Sequence, residues 1–417
     1  MISRVVRPPC GALIRLFTVG EGAGHKDPHY TFLVWGRATR TRTTGRLGDE
    51  MARGLDIGGR PGGEESIRVG FIGCGSHAFR NVYPVFQFVP ADLIAVCDHN
   101  ADRRESFAKL FGAERTYADH TEMLAKEKGL DAVFIVTDYD VRSRPQFPRL
   151  AVDVMRAGCH AWIEKPPAAS VAEIDEMLAC ERETGKFTMV GFKKCFFPAI
   201  EKMKEIIGRE EFGGVRQIYV RYPQYIPTAD EMRELRGNRK LVGFLDHIVH
   251  PASIVQLLVG PVKTLYYTRN ETGGGFANLV FRSGAVGTIH LSAGQSGTSP
   301  LERVEVVGDG ANVLVENGVK LTYYRPGERG PGGYGRSPNF IGPDDAAPIV
   351  WEPEWSLGQL YNKGLFLLGY YGEVAAFVRA VKENRRPEKC NLDDAREVMK
   401  LYEAFLEGPG KTIELQD

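Results

Sequence analysis

From Ile67 onward, short apolar runs alternate with amphipathic stretches, which is the pattern of a parallel sheet covered by helices. The segment Ser170-Val171-Ala172-Glu173 is a capping-box sequence, and it predicts a helix over about 171–184. The first folded part of the chain is therefore predicted to be a doubly wound α/β domain. Its predicted strands are Ile67–Ile72, Leu93–Cys97, Asp131–Val136, Cys159–Ile163 and Phe187–Val190.

After Pro198 the pattern shifts towards alternation of apolar and polar residues. The turn sequences Ser283-Gly284 and Asn317-Gly318 lie between neighbouring runs and favour antiparallel hairpins. This half predicts an α+β domain with an open, mainly antiparallel sheet. The Gly/Pro-rich stretch 326–348 is too long for a simple connection, which leaves a lid, an interface loop and a disordered insertion open. The alternating runs are 215–225, 262–269, 275–282, 286–292, 302–307, 312–316 and 320–325.

The chain closes with two helical patterns, at about 373–385 and 392–407. Asn391 is the predicted N-cap of the second and Gly408 its terminating glycine, and both helices are expected to pack on the first domain. Residues 1–65 are rich in Arg, Gly and Thr and predict a disordered or irregular extension. The predicted division is thus 1–65, 66–190 for the first domain, 191–372 for the second and 373–417 for the closing helices.

Composition narrows the classes of partner. Lys plus Arg and Asp plus Glu number 53 each, so no net field attracts nucleic acid or an anionic membrane. No run of about 18 consecutive apolar residues indicates a membrane span. The seven cysteines lack C-x-x-C spacing, which argues against a zinc site and a disulfide framework and favours reduced thiols in the cytoplasm. A small-molecule partner, no metal and a cytoplasmic location are therefore expected.

A glycine-rich turn follows the first predicted strand. Gly73-Cys74-Gly75-Ser76-His77-Ala78 supplies G-x-G-x-x-A between a strand and a helical stretch. In such a turn the first glycine allows the tight bend, and the second lets backbone amides approach a pyrophosphate. The small residue lets the helix pack on the strand, with its N-terminus facing the phosphates. The motif predicts a dinucleotide site of the Rossmann type at Gly73, Gly75, Ser76, His77 and Ala78.

The second predicted strand ends at Asp98, whose carboxylate is placed to accept hydrogen bonds from a ribose and to repel a 2′-phosphate. NAD is therefore favoured over NADP. Arg103 and Arg104 keep NADP open, because they begin the next helix and carry the charge that a phosphate requires. The alternative for Asp98 is a carboxylate at a helix N-terminus without any ligand.

The segment Glu164-Lys165-Pro166 at the end of a strand resembles the Glu-Lys-Pro of the glucose-fructose oxidoreductase/inositol dehydrogenase (Gfo/Idh/MocA) family. The segment 191–198 and Gly284-Ala285-Val286-Gly287 are similar to further parts of that family. Asp246-His247-Ile248-Val249-His250 matches its D-x-x-x-H. The resemblance covers about residues 66–408. Ser253 and Thr137-Asp138-Tyr139-Asp140 depart from the family's usual residues, which puts the substrate pocket and the nicotinamide-ribose contacts in question.

The resemblance implies roles for these residues. His250 would be the general base for alcohol oxidation, Asp246 would orient it, and Lys165 would donate a hydrogen bond to the reacting oxygen. His247 is the alternative to His250, and a solvated charge is the alternative for Lys165. Thr137, Glu164 and Lys165 would also contact the cofactor, and Lys194, Tyr222 and His247 the substrate. Pro251 complicates the pairing, because a helix that begins near residue 250 would separate Asp246 from the face of His250.

The function implied is hydride transfer between nicotinamide and a secondary alcohol of a sugar, polyol or cyclitol. Two further functions stay open. One is a glycosidase or eliminating enzyme of the same fold that retains its NAD, and the other is a non-catalytic NAD-sensing regulator. The open sheet of the second domain would expose one face, so a homo-oligomer is expected.

Overall fold

The computed structural model describes residues 65–326, 347–352 and 363–416. It also describes two short strands, β1 (Val5–Val6) and β2 (Ile14–Arg15), which pair antiparallel within a separate unit formed by the first 57 residues. The remainder of the predicted extension and nearly all of the stretch 326–348 lie outside the described residues.

A parallel six-stranded sheet forms the core of the first domain in the described residues. Its order, β5-β4-β3-β6-β7-β8, is that of a complete dinucleotide-binding sheet, and the direction of winding reverses between β3 and β6. Strands β6 and β7 are buried along their whole length, since helices cover both faces. The strands are β3 (Ile67–Ile72), β4 (Ala91–Cys97), β5 (Arg115–Tyr117), β6 (Ala132–Ile135), β7 (His160–Ile163) and β8 (Thr188–Val190).

The predicted α/β class is confirmed, and the sixth strand is an addition to it. Strand β5 was not predicted, because two of its three residues are exposed and give no apolar run. Helices α1 (Ala101–Phe111), α2 (His120–Lys126), α3 (Phe147–Arg156) and α4 (Val171–Thr184) connect the strands. Helix α4 has the predicted bounds, and the Ser170 side chain accepts from the Glu173 amide at 3.4 Å. The Glu173 carboxylate accepts from Ala169 N rather than closing the capping box on Ser170.

The second domain contains a mixed sheet, nine-stranded in the part of the chain described, in the order β16-β15-β14-β13-β9-β12-β11-β10-β17. All neighbours are antiparallel except β9 and β12, as predicted for a mainly antiparallel sheet. Gly284, Asn317 and Gly318 have positive φ, as the predicted hairpin turns require. The strands are β9 (Gln217–Tyr222), β10 (Val262–Arg269), β11 (Gly275–Phe281), β12 (Val286–Leu291), β13 (Arg303–Val307), β14 (Asn312–Glu316), β15 (Lys320–Tyr324), β16 (Ile349–Trp351) and β17 (Thr412–Glu414).

Helix α5 (Pro198–Ile207) and the long helix α6 (Arg239–Val259) cover the inner face of this sheet. By length and composition alone α6 would suit a membrane span, yet 61% of its most apolar window is buried in the protein, as in a core helix. The N-cap of α6 is Asn238, whose side chain accepts from Leu241 N, and the helix continues through Pro251. Of the two interpretations that the sequence left open, the structure has the one in which Asp246 and His250 lie on the same helix, because burial of the apolar side chains of α6 outweighs the cost of an interior proline.

Three helices close the described chain: α7 (Lys363–Leu367), α8 (Tyr370–Lys382) and α9 (Leu392–Leu406). The side chain of Asn391 caps α9 by accepting from the amides of Asp393 and Asp394, and Gly408 has φ +95°. Helix α8 packs on β3 and the segment after it, while α9 lies between α4 and α6. The closing helices therefore join the two domains on the side away from the open sheet face.

One ionisable residue in this joint is buried and has no hydrogen-bond partner among the described residues. The Glu373 side chain on α8 is fully buried, and neither carboxylate oxygen has a hydrogen-bond partner among the described residues. Burial, and next the negative charge of Glu164, raise the pKa of Glu373 well above its usual range, against the opposing charge of Lys193. The carboxyl is therefore held in its neutral form.

Replacing Glu373 by Gln is expected to increase the free energy of unfolding at pH 7.5 and to leave it nearly unchanged at pH 4. Since the folded pKa is raised, the favourable contribution of the protonated acid is fully present below the unfolded pKa and is lost as the pH rises. The difference in the free energy of unfolding between Glu373→Gln and wild type should grow by up to about 1.4 kcal/mol per pH unit between the unfolded and the folded pKa of Glu373. Urea unfolding at several pH values measures it, with the exposed Glu176→Gln as the control. Parallel pH curves for wild type and Glu373→Gln would contradict the protonated state.

Candidate active site

The glycine-rich turn lies at the point where the winding of the parallel sheet reverses. Gly73 has φ +106°, and a Cβ there would be 1.9 Å from the carbonyl oxygen of Val136, so only glycine allows the turn to lie against the end of β6. A Cβ on Gly75 would meet nothing within 4 Å. The second glycine therefore faces open space, where a ligand can approach the backbone.

A cleft of about 590 Å³ opens in front of this turn. The predicted cofactor residues of the turn line it together with Asp98 and Thr137. The hydroxyl of Thr137 is buried and has no hydrogen-bond partner among the described residues. Because a buried hydroxyl without a partner is costly, this orphaned group fits a polar ligand such as the ribose of a dinucleotide.

The helix predicted after the turn is irregular. Residues Ala78–Val82 form a π-helical turn and Tyr83–Gln87 a 3-10 turn, rather than one α-helix. The first residues of this segment, Ser76 to Ala78, still follow Gly75 directly and line the cleft. Backbone N–H groups at such a position suit the phosphates of a dinucleotide.

Asp98 fixes the turn from the neighbouring strand. Its carboxylate accepts from Cys74 N at 2.8 Å and from Asn100 N at 2.8 Å. The N-cap of α1 is Asn100, so Asp98 is not merely a helix cap. Arg104 donates to the backbone carbonyls of Asp98 and His99, whereas Arg103 lines the cleft. Asp98 therefore lines the cleft at the end of β4, with Arg103 in the same lining.

A second cavity, of about 210 Å³, continues from the cleft and shares His77 and Thr137 with it. Its walls include Glu164, Lys165 and Asp246, so both domains contribute. The Lys165 ammonium lies 2.8 Å from Asp246 Oδ1, which also accepts from the Tyr139 hydroxyl at 3.2 Å. An ammonium, a carboxylate and a phenol thus meet where the nucleotide cleft ends.

Glu164 connects Lys165 to the glycine turn. Its Oε1 lies 2.8 Å from His77 Nε2, and its Oε2 accepts from Lys165 N. The Asn81 amide nitrogen lies 3.2 Å from His77 Nδ1. Burial acts to raise the pKa of Glu164, but the hydrogen bond and charge of His77, with the charge of Lys165, outweigh it and lower that pKa. Glu164 is therefore a buried carboxylate in the wall of the cavity.

The predicted hydrogen bond between Asp246 and His250 is not formed in the described structure. Both residues lie on α6 at a spacing of four, yet the carboxylate of Asp246 turns to Lys165 and Tyr139. His250 is buried, and its Nδ1 has no hydrogen-bond partner among the described residues. The orienting role predicted for Asp246 is corrected: its contacts position Lys165, because the ammonium from β7 is its nearest cationic partner.

Lysines surround His250. Burial, and then the positive charges of Lys194, Lys165 and Lys193, lower the pKa of His250 well below its usual range. The imidazole is therefore neutral at pH 7 and has a free nitrogen able to accept a proton. His250 does not line either of the two cavities described above.

The predicted substrate residues fall into two groups. Lys194 is buried, pairs with Glu302 and lies 4.9 Å above the ring of Tyr222. The Tyr222 ring in turn lies 5.9 Å from His250. His247 is half exposed, and its Nδ1 donates to the Gly243 carbonyl at 2.9 Å. The structure thus gathers Lys194 and Tyr222 around His250 and leaves His247 at the rim.

Two contributors were not predicted from the sequence, Tyr139 and Tyr370. Tyr139 follows β6 at the same sheet edge as the glycine turn, a position that would have identified it. Lys193 donates to the Tyr370 hydroxyl at 2.7 Å, and burial lowers its pKa. Tyr370 comes from α8, more than 170 residues away, so no local pattern indicated it.

Known protein families match both domains of this chain. Residues 67–192 match the Gfo/Idh/MocA profile described as an oxidoreductase family with an NAD-binding Rossmann fold, and residues 200–313 match the Gfo/Idh/MocA C-terminal domain. A trans-1,2-dihydrobenzene-1,2-diol dehydrogenase from Mus musculus is 26% identical over 203 residues, 48% of this chain and 58% of that enzyme. A myo-inositol 2-dehydrogenase from Thermotoga maritima is 24% identical over 281 residues, 64% of this chain and 80% of that enzyme.

Solved structures share the fold. Levoglucosan dehydrogenase in complex with NADH and L-sorbose has a TM-score of 0.68 at 16% identity, covering 85% of this chain and 100% of that one. Myo-inositol 2-dehydrogenase from Lactobacillus plantarum has a TM-score of 0.62 at 20% identity, covering 84% and 100%. The first domain is an NAD-binding domain. The two profiles together match more than half of the sequence, and the chain belongs to the Gfo/Idh/MocA oxidoreductase family.

Proposed function

We propose that this protein is an NAD-dependent dehydrogenase that oxidises a secondary alcohol of a sugar, polyol or cyclitol. One observation carries the proposal. The Lys165–Asp246 ion pair forms a wall of a cavity that continues directly from the cleft of the glycine-rich turn. A substrate in that cavity would lie next to a dinucleotide in the cleft, as hydride transfer requires.

The chemistry divides between the cofactor and the side chains. Bound NAD⁺ supplies the hydride acceptor, and the protein must remove the hydroxyl proton. The Lys165 ammonium, held by Asp246 Oδ1, is placed to donate a hydrogen bond to the substrate oxygen and to stabilise negative charge there. Neutral His250 is the proton acceptor in this proposal. Lys194 and Tyr222 line neither cavity, so they would position His250 rather than contact the substrate, and the proton would reach His250 through an intervening group.

The cavity suits a polar, hydroxylated substrate. Its walls carry the side chains of His77, Tyr139, Lys165 and Asp246 together with the apolar side chains of Val136, Pro145 and Phe147. Several oxygens on one ring could exchange hydrogen bonds with such a set. The relatives from Mus musculus and Thermotoga maritima are named for a cyclic diol and for an inositol, which supports a polyhydroxylated ring as the substrate class.

A screen of sugars, inositols and their acids with NAD⁺ and NADP⁺, followed by absorbance of the reduced cofactor, tests this function. Net formation of NADH with one substrate class supports a dehydrogenase. Product formation without net NADH, together with co-purified nucleotide, would instead support the NAD-retaining glycosidase or eliminating enzyme. Nucleotide binding with neither product would support a regulator and contradict both enzymes.

Replacement of His250 by Ala is expected to lower kcat by about 100- to 10,000-fold, the usual contribution of positioned proton transfer. Affinity for NADH should stay within about twofold, since His250 lies outside the nucleotide cleft. His247→Ala is the matched control, because its ring is half exposed and bonds to the carbonyl of its own helix. NADH titration also verifies that the buried substitution leaves the protein folded. Turnover like that of wild type in His250→Ala would remove this residue from the mechanism.

Asp98→Asn is expected to weaken the preference for NAD⁺ over NADP⁺ by at least about tenfold, or 1.4 kcal/mol. The amide oxygen can still accept from Cys74 N, while the charge that repels a 2′-phosphate is gone. Asp102→Asn removes an exposed charge from the next helix outside the cleft and serves as the control. The ratio of kcat/KM for the two cofactors measures the effect. An unchanged ratio would show that another residue selects the cofactor.

We also propose that the protein assembles as a homo-oligomer through the open face of the large sheet. Tyr266, Phe276, Val280 and Val286 on strands β10 to β12 are each 38–48% exposed on that face. Burial of such a surface by a second copy would remove apolar area from water. Sedimentation of the purified chain gives the mass, and a monomer at micromolar concentration would contradict the proposal.

A further inference from the structure

The open face of the large sheet carries a second polar depression, behind the candidate active site. We call it the back-face depression; it has a volume of about 470 Å³. Successive residues of β9 point to opposite faces, so Tyr222 faces His250 in the interior while Arg221 faces this depression. The two sites are thus separated by the thickness of one sheet.

Positive and neutral donors converge there. Arg221 and His290 are direct partners in the parallel pair of β9 and β12, and Arg269 lies at the end of β10. Among the described residues, no acidic side chain lines the depression. Carboxylates on the adjacent strands are already paired, because Glu305 and Glu316 contact Arg303. An anion entering the depression would therefore meet uncompensated positive charge.

The donor groups are fixed in place and incompletely used. Arg221 donates from Nη2 to the Pro300 carbonyl at 2.6 Å, while its Nε is buried and has no hydrogen-bond partner in the described part of the chain. Arg269 donates from Nε to the Ile226 carbonyl at 3.2 Å, which holds its guanidinium at the rim. A buried guanidinium N–H without an acceptor is costly, and an oxyanion would satisfy it with a charge-assisted hydrogen bond.

His290 completes the wall. Its ring stacks on Phe276 with centroids 4.4 Å apart, and the Tyr219 hydroxyl lies 3.0 Å from its Nδ1. Donation by the tyrosine to Nδ1 leaves the proton on Nε2. Burial, and next the charge of Arg221, lower the pKa of His290. The imidazole therefore offers a neutral N–H donor between two arginines.

We propose that the back-face depression is a binding site for an oxyanion, a phosphate or carboxylate group held by Arg221, Arg269 and His290. Two arginines and an imidazole match the acceptor geometry of such a group better than that of a neutral sugar. The group would come from a small-molecule anion or from an acidic side chain of a second copy of this chain. The site is separate from the dehydrogenase function and does not depend on it.

Isothermal titration calorimetry with inorganic phosphate and citrate tests the site, in a low-salt buffer and with NADH saturating so that the nucleotide cleft is filled. The wild-type protein should bind one equivalent with a Kd of about 1 mM or tighter. Arg221→Gln and, as a second variant, Arg269→Gln should weaken binding at least about tenfold, because each removes charged hydrogen bonds. Arg216→Gln is the control, since Arg216 is exposed just before the far end of β9 and outside the depression.

Sedimentation of the same variants distinguishes the two sources of the anion. A lower oligomer mass for Arg221→Gln but not Arg216→Gln, with no binding of phosphate or citrate to wild type, would assign the oxyanion to a second copy. Binding of the free anions that Arg221→Gln abolishes at unchanged mass would assign a small molecule. The proposal would be overturned if wild type bound no anion and no variant changed the mass. It would also be overturned if Arg216→Gln lost as much binding or mass as Arg221→Gln. NADH binding by each variant verifies that it is folded.

Discussion

The ion pair between Lys165 and Asp246 is the contact on which the candidate site depends. It joins the end of a parallel strand in the first domain to the central helix of the second, with 2.8 Å between the charged atoms. Both side chains are largely shielded from water, so loss of either partner would leave the other charge poorly solvated. The pair therefore fixes how the nucleotide cleft meets the substrate cavity.

The positive charges around His250 follow from this joint. Lys165 arrives from the first domain, whereas Lys193 and Lys194 begin the second, and all three lower the pKa of the buried imidazole. Two of these charges are balanced by carboxylates, since Asp246 pairs with Lys165 and Glu302 with Lys194, while Lys193 donates to the Tyr370 hydroxyl. The site thus combines a neutral imidazole with a fixed ammonium, the two groups to which the proposed function assigns proton removal and charge stabilisation.

Glu373 is also buried, but its protonation state differs from that of Glu164. Where Glu164 keeps its charge through His77 and Lys165, Glu373 has no hydrogen-bond partner among the described residues and stays protonated. Two glutamates close enough to influence each other therefore hold different protonation states. Their environments differ because Glu164 accepts hydrogen bonds from His77 and the Lys165 amide, whereas the oxygens of Glu373 accept none among the described residues.

The sequence by itself determined the features that depend on local backbone geometry. Gly73 and Gly75 predicted the turn, because only glycine tolerates the positive φ and close approach at the first position. Asn391 predicted a helix start through its own side-chain cap, and alternation of apolar residues predicted the long strands of the second sheet. These signals lie within a few residues of the structures they encode, so they can be recognised without the fold.

Only the tertiary structure decided which side chains meet. Pro251 indicated a helix start, but burial of the surrounding apolar side chains carries α6 through it. Asp246 was expected to contact His250 and instead contacts Lys165 and Tyr139, which come from different strands of the other domain. Such partners are set by the packing of elements far apart in the chain, where charge and distance in space outweigh spacing in sequence.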